Sequence, residues 1–254
     1  MSSRLAVSLL FIFIPTIIAF AEVTGKQPTV EFIKDSIDKY YYTFNYNKLE
    51  KILNEVNNNK SIANDDFITP YYRGVINYCL GRIYYNYNKE NAYKKFELSL
   101  NDFLSIKDKD NAEINALISA AYGKLSSLSV IKSLFYGVKA KDFIEKAYNL
   151  ESDNTKVLIV AATHLMHTPS FYGGDKKRAR ELLNRIISNK VGDYNKRKLI
   201  NWGTVAEAYA YLAQLEILEN HISEARANMK KALELVPYYG FVKYDLEKQI
   251  KNLE

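Results

Sequence analysis

Apolar residues recur three and four positions apart along most of this 254-residue chain, and almost no stretch alternates apolar with polar residues. The first spacing places side chains on one face of an α-helix, whereas alternation would place them on one face of a β-strand. Residues that interrupt helices are scarce, with 10 Gly and 5 Pro in the whole chain. The pattern therefore predicts an all-α fold built from amphipathic helices.

The clearest unit of this pattern spans residues 209–237, YAYLAQLEILENHISEARANMKKALELVP. It contains two runs of helical period with a short polar turn between them, and Pro237 should end the second run because proline cannot continue a helix. Ala213, Ala225 and Ala232 are small residues where the two helices would cross. The unit therefore predicts two antiparallel helices that pack closely.

Four looser versions of this unit precede it. Their second helices, with that of the clear unit, are marked by residues 39 to 48 positions apart: Leu49, Ala92, Ala140, Ala179 and Ala225. A final helix over 239–253 carries one apolar stripe, formed by Val242, Leu246, Ile250 and Leu253. Because a helix pair buries its apolar face only by stacking on the next pair, we expect one domain over 22–254, with about five pairs and a C-terminal capping helix.

Eight residues of the clear unit fall at the spacings of a known repeat: Tyr209, Leu212, Ala213, Glu216, Ala225, Met229, Ala232 and Pro237. The unit resembles the tetratricopeptide repeat (TPR), and Glu216 is the departure because an aromatic residue is usual there. The resemblance implies a right-handed α-solenoid whose concave face binds a protein or peptide. The intervals between units exceed the roughly 34 residues of the regular repeat, so the array would be divergent.

The first 21 residues have the pattern of a secretory signal peptide. Arg4 precedes an apolar run over 5–20, and Ala19 and Ala21 supply the small residues of a cleavage site. The alternative is a retained anchor, but the run is shorter than the ~20 residues usually needed to span a bilayer, and Pro15 interrupts it. We expect cleavage, export to the periplasm or the extracellular side of the cell envelope, and no stable membrane insertion afterwards.

Composition and the absence of known catalytic motifs limit the kinds of site that we expect in this protein. Cys79 is the only cysteine, which excludes an intramolecular disulfide and a multi-cysteine metal site. The 35 Lys and Arg residues are interspersed with 29 Asp and Glu residues, a mixture typical of solvated helix faces rather than a nucleic-acid surface. The sequence contains no HExxH, no phosphate-binding glycine loop and no Ser-centred nucleophile motif. We therefore expect a non-catalytic protein without a cofactor or a nucleic-acid partner.

The segment 163–183, THLMHTPSFYGGDKKRARELL, has two interpretations. It is a hinge if Pro169 ends one helix, the glycines make a turn and Asp175 caps the next helix. It is an anion or ligand site if a bound anion relieves the repulsion of basic residues at the positive end of that helix. The candidate residues are Tyr172, Gly173, Gly174, Asp175, Lys176 and Lys177. His164 and His167 share a helix face, but two histidines without a further ligand are expected to be ordinary helix-terminal residues rather than a metal site.

A second resemblance rests on the same segment. The stretch TPSFYGGDKKRARELLNRII is similar to a loop of exported bacterial TPR proteins, among them the periplasmic component that accompanies some tripartite (TRAP) transporters. The similarity covers about residues 110–210. It implies an array with a pore or groove for ligand hand-over and a possible homo-oligomer, and it transfers no binding residue.

A partner groove would be lined by side chains on the first helix of each pair. The candidates are Tyr78, Arg82, Tyr85, Asn115 and Tyr122. The sequence thus predicts a non-catalytic scaffold of the cell envelope that binds a protein or peptide. Two alternatives stay open, namely a solute- or ligand-handling subunit beside a transporter, and an enzyme.

Overall fold

A computed structural model describes residues 28–189 and 199–253. Over these ranges the chain is all-α and contains no β-strand, which confirms the predicted fold class. The predicted signal peptide lies outside the described residues. The α-helices are α1 (Val30–Thr43), α2 (Tyr46–Asn58), α3 (Ile68–Tyr84), α4 (Lys89–Ser105), α5 (Ala112–Leu128), α6 (Ser133–Leu150), α7 (Thr155–His167), α8 (Lys176–Ile187), α9 (Val205–Leu218), α10 (Ile222–Leu235) and α11 (Glu247–Lys251). A 3₁₀ turn, Ser170–Tyr172, precedes α8, and a π-helical segment, Phe241–Leu246, runs directly into α11.

Side-chain caps fix many of the helix starts. Four asparagines each accept a hydrogen bond from a backbone N–H of the first helical turn, namely Asn45, Asn88, Asn111 and Asn154. Asp175 does the same for α8, with Arg178 N–H donating to its Oδ1 at 2.9 Å, as the hinge interpretation predicts. These caps satisfy N–H groups that have no partner inside the helix.

Consecutive helices pack against each other along the chain. The residues predicted to mark second helices lie on α2, α4, α6, α8 and α10, and all of them are buried: Leu49, Ala92, Ala140, Ala179 and Ala225. Between α3 and α4 the backbone approaches the aromatic core closely. A Cβ added to Gly81 would lie 2.8 Å from the Phe96 ring, so these two helices can pack this closely only because position 81 has no side chain.

The two ends of the described chain meet. The Tyr41 hydroxyl of α1 donates to Glu207 of α9 at 2.8 Å, and the neighbouring Tyr42 hydroxyl donates to the same carboxylate at 3.2 Å. The Tyr42 ring also lies edge-on to Tyr239, with 5.2 Å between the ring centroids. The helices therefore curve round until α1 contacts α9 and the C-terminal segment.

The C-terminal segment contacts α3 as well as the helices that directly precede it. Three residues of its predicted stripe, Val242, Leu246 and Ile250, are fully buried, whereas Leu253 is exposed. The neighbouring Phe241 ring lies 5.0 Å from the Arg82 guanidinium of α3. The segment thus packs across the inner face of the earlier helices, and it forms one wall of a central cavity.

Candidate ligand-binding cavity

A cavity of about 410 Å³ lies on the inner side of the helices. Its lining comes from α3, α5, α6, α7, α9 and the C-terminal segment, and the polar and charged contributors include Arg82, Lys124, His164, His167, Gln214 and Asp245. Small apolar residues and aromatic rings, among them Ala120, Val160 and Phe241, complete the wall. The volume falls within the range of roughly 300–1,000 Å³ that is usual for small-molecule sites.

Arg82 is the most unusual residue in this wall. Its side chain is buried, with 5% exposure, and its Nη2 has no hydrogen-bond partner. The guanidinium lies against the rings of Phe44 and Phe241, at 5.1 and 5.0 Å from their centroids. No carboxylate among the described residues forms an ion pair with it. Because arginine stays protonated in proteins, the cavity holds a buried positive charge with an unused donor.

Two further charged groups face the same space. Burial, together with the Arg82 and Lys89 charges, lowers the pKa of Lys124 to about 8, although Asp245 partly opposes the change. Burial raises the pKa of Asp245 above its ordinary value, against the opposing charges of Arg82 and Lys124 and a hydrogen bond from Asn86. At pH 7 two positive groups therefore face one carboxylate, and the cavity carries a net positive charge.

Neutral donors complete the wall of the cavity. The pKa values of His164 and His167 lie below the ordinary value, chiefly because partial desolvation disfavours the charged ring, although the His167 side chain keeps contact with solvent. The Lys124 charge lowers the pKa of His167 further. Both imidazoles are thus uncharged at pH 7 and can each donate or accept a hydrogen bond.

The structure separates the five predicted groove residues into two groups. Tyr78, Arg82 and Tyr85 line the cavity. Asn115 does not, because its buried side-chain amide donates to the carbonyls of Lys109 and Asn111. It holds the turn before α5.

Tyr122, the fifth of these residues, also lies outside the cavity lining. Its ring lies 5.9 Å from that of Tyr136 and 5.8 Å from that of Phe143, between α5 and α6. The side chain therefore packs against α6 rather than facing the cavity.

The six residues of the predicted anion loop do not line the cavity either. Gly173 has a φ of +96°, and a Cβ on Gly174 would overlap the Thr168 carbonyl oxygen, so both glycines are needed to make the turn. The Asp175 carboxylate caps α8, and the Lys176 ammonium donates to the Leu218 carbonyl at 3.2 Å. The remaining two, Tyr172 and Lys177, are exposed. These contacts are those of a structural joint between helices.

Sequence reasoning missed three cavity residues, Lys124, Gln214 and Asp245. Lys124 carries a signal, because it is the only charged residue between Glu113 and Lys132, in a stretch that otherwise holds only apolar and small or uncharged polar residues. Gln214 and Asp245 carry none, since their part in the cavity depends on how the last helices fold back.

One group within the described residues has the geometry of a metal site, formed by Glu216, Glu219 and His221. Arg180 forms ion pairs with both carboxylates, and His221 Nδ1 lies 3.0 Å from Glu216. Both carboxylates thus already have a protein cation as their partner.

Comparison with known proteins gives no independent indication of function. No protein-family model matches the chain, and no curated protein matches it. Among the described residues, none of the helices has the length and apolar character required to cross a bilayer.

Proposed function

We propose that this protein is a non-catalytic binding protein that holds a small anionic group, a carboxylate or a phosphate, in its central cavity. The observation that carries the proposal is the unpartnered Nη2 of buried Arg82 in the cavity wall. Leaving a buried cation unpaired costs several kcal/mol. A ligand carboxylate or phosphate would restore the lost interaction through two parallel N–H···O bonds.

The hydroxyl groups around the cavity support binding rather than catalysis. Ser119 and Ser126 donate to the carbonyls of Ala140 and Ser133, at 2.7 and 2.8 Å. Thr163 and Thr168 donate to carbonyls of their own helix in the same way. A catalytic serine or threonine would instead donate its proton to a general base. The protons of these hydroxyls are therefore already donated to the backbone, so that Arg82 and Lys124 are the groups we propose to hold the anion.

The architecture we propose is a divergent right-handed solenoid of five TPR-like helix pairs closed by the C-terminal helix. Its support is the burial of five repeat positions of the clearest unit, namely Leu212, Ala213, Ala225, Met229 and Ala232. The pairs would then be α1–α2, α3–α4, α5–α6, α7–α8 and α9–α10. In this arrangement the cavity lies on the concave side, where such arrays bind their partners.

The anionic group has two chemical sources. A free organic acid or phosphate would make the protein a ligand-handling subunit of the cell envelope. The terminal carboxylate of a peptide would make it a scaffold that captures chain ends, and the rest of the peptide would lie outside the cavity. Both uses agree with the export expected from the N-terminal sequence.

The test is a ligand-dependent shift in melting temperature, followed by calorimetric titration. The probes are inorganic phosphate, linear monocarboxylates of increasing length, and one peptide prepared with a free or an amidated C-terminus. We expect saturable stabilisation by at least one anion and its loss in Arg82→Gln. The control, Arg178→Gln, removes an exposed arginine that pairs with Glu181, and it should leave binding unchanged.

The outcomes separate the two sources. Stabilisation by small anions indicates ligand handling, and stabilisation only by the free-carboxylate peptide indicates the scaffold. The proposal is wrong if no probe binds, or if Arg82→Gln binds as well as the unmodified protein. Arg82→Gln should fold, because it removes the cost of a buried charge that has no partner. Lys124→Gln, at a half-buried residue, provides a second variant and should weaken binding.

A further inference from the structure

An exposed apolar tip projects from the turn between α5 and α6. Val130 and Ile131 at the turn are 95% and 97% exposed. Leu134, Phe135 and Val138 on the first turns of α6 are each more than half exposed. We call residues 129–138 the tip. Adjacent apolar residues with this exposure are uncommon on a protein surface and often mark a site of interaction.

The tip lies at the rim of the cavity. Ser127 precedes it and Gly137 belongs to it, and both line the cavity. A second rim turn begins at Thr168, which also lines the cavity, and it carries exposed Phe171 and Tyr172. Apolar side chains therefore project from two turns next to the same cavity.

The charge around the tip has one sign. Residues 114–141 contain four lysines and no Asp or Glu, and the lysines are Lys124, Lys132, Lys139 and Lys141. Acidic residues resume at Asp142, and Glu145 lies 3.7 Å from Lys141. Lys132 and Lys139 remain on or beside the apolar tip, where no ion pair of the described residues involves them. An anionic surface would complement this distribution.

Hydrogen bonds within and beside the tip pair part of its backbone. Lys132 N–H donates to the Ser129 hydroxyl at 3.1 Å, and the Ser133 hydroxyl donates to the Val130 carbonyl at 3.2 Å. Ser126 in turn donates to the Ser133 carbonyl at 2.8 Å. Polar groups that are already paired lose little when water is removed.

We infer that the tip inserts shallowly into the surface of an anionic lipid bilayer, with Val130 and Ile131 among the acyl chains and Lys132 and Lys139 at the headgroups. A convex tip with such high exposure does not require a complementary pocket, and lysine stems can extend along apolar surface while their ammonium groups stay at the interface. This contact is peripheral and needs no helix that spans the membrane. It would also place the cavity rim at the bilayer, whether or not the cavity binds an anion.

The test is a fluorescence reporter at the tip of the full chain. Trp202 is the only tryptophan and is buried, so Ile131→Trp adds one exposed indole. We expect its emission to move to shorter wavelength with phosphatidylglycerol vesicles and to stay unchanged with phosphatidylcholine vesicles. Lys132→Gln together with Lys139→Gln should weaken partitioning roughly tenfold or more.

The matched control is Leu98→Trp, which places a reporter at a half-exposed apolar residue of α4. If the N-terminal apolar run alone carried the chain to the vesicle, the two reporters would respond alike, and the inference would be overturned. A blue shift without vesicles that grows with protein concentration would assign the tip to a second copy of the chain instead. The absence of any shift with anionic vesicles would also refute membrane insertion.

Discussion

Arg82 and Lys124 show how single residues acquire chemistry from their surroundings. Each occupies a helix position where a long basic side chain would ordinarily reach water. Here Arg82 is buried against Phe44 and Phe241, and its charge helps to lower the pKa of Lys124 to about 8. The folded protein thus keeps one permanent positive charge and one that titrates near neutral pH in the same cavity.

This titration predicts a pH-dependent affinity for anions. Above pH 8 Lys124 loses its proton in the folded state, so binding at Arg82 should weaken several-fold between pH 7 and 9.5. Calorimetry in buffers of different ionisation enthalpy should detect proton uptake on binding near pH 8, because a bound anion raises the pKa of Lys124 again. Lys124→Met should remove both effects. Lys231→Met, which deletes a lysine beside the Tyr209 ring, should keep them.

The stability of the fold depends on the protonation of Lys124 in the opposite direction from anion binding. The folded pKa of about 8 lies below the ordinary lysine value of 10.5, so between these values the unfolded chain holds more protons at Lys124. Its unfavourable effect on the free energy of unfolding therefore diminishes as pH rises through this window. Binding and stability should respond to Lys124 in opposite directions.

At the scale of helices, the sequence pattern correctly predicts features that depend on residues close together in the chain. The spacing of apolar residues identifies the helices, and Asp175 caps α8 as the hinge interpretation predicts. Asn111, a residue type that favours the N-cap position, caps α5. The Thr69-Pro70 pair has the pattern of an N-cap followed by a proline at the first helical position, but this prediction is wrong, because α3 begins at Ile68 and the Thr69 hydroxyl donates to the Ile62 carbonyl. Asp65 accepts from the N–H groups of Phe67 and Ile68 instead.

Two helical glycines provide a matched test of helix packing. A Cβ at Gly81 would lie 2.8 Å from Phe96, whereas a Cβ at Gly123 meets nothing within 4 Å. Gly81→Ala should therefore lower the free energy of unfolding by about 1–3 kcal/mol, since α3 and α4 must move apart. Gly123→Ala should raise it by up to about 1 kcal/mol through helix propensity. Urea unfolding followed by circular dichroism measures both, and equal effects would contradict the close approach of α3 and α4.

At the scale of the whole molecule, the decisive feature is the contact between the first helix and the last ones. In an open array each pair contacts only its neighbours, and local loosening stays local. Here the Glu207 carboxylate, which is fully buried, accepts bonds from Tyr41 and Tyr42 of α1 and from the N–H groups of Gly203 and Thr204. One side chain thus joins α1 to the start of α9.

Replacing this carboxylate should loosen both ends together. Glu207→Gln puts an NH₂ donor among the four existing donors, so we expect a loss of about 2–3 kcal/mol in stability. Hydrogen exchange should increase in α1 as well as in α9. The exposed Glu224→Gln of α10 is the control and should change neither quantity. Faster exchange confined to α9 would show that the closing contact does not stabilise α1.

The sequence by itself determined the all-α class, the helix positions and the residues of the 168–175 joint, because these depend on side-chain period and on caps within a few residues. It also indicated that the inner face should be sought on Tyr78, Arg82 and Tyr85. It did not distinguish these residues from Asn115 and Tyr122, because the spacing of residues along a helix does not determine which neighbouring helix each face contacts. Only the tertiary structure decided that the first helix meets the last ones, through the Tyr41–Glu207 contact between residues 166 positions apart. This contact between the first and last helices places Asp245 near Arg82 and Lys124 and forms the charged cavity. It depends on how all the helices pack in succession, so the sequence of no single helix determines it.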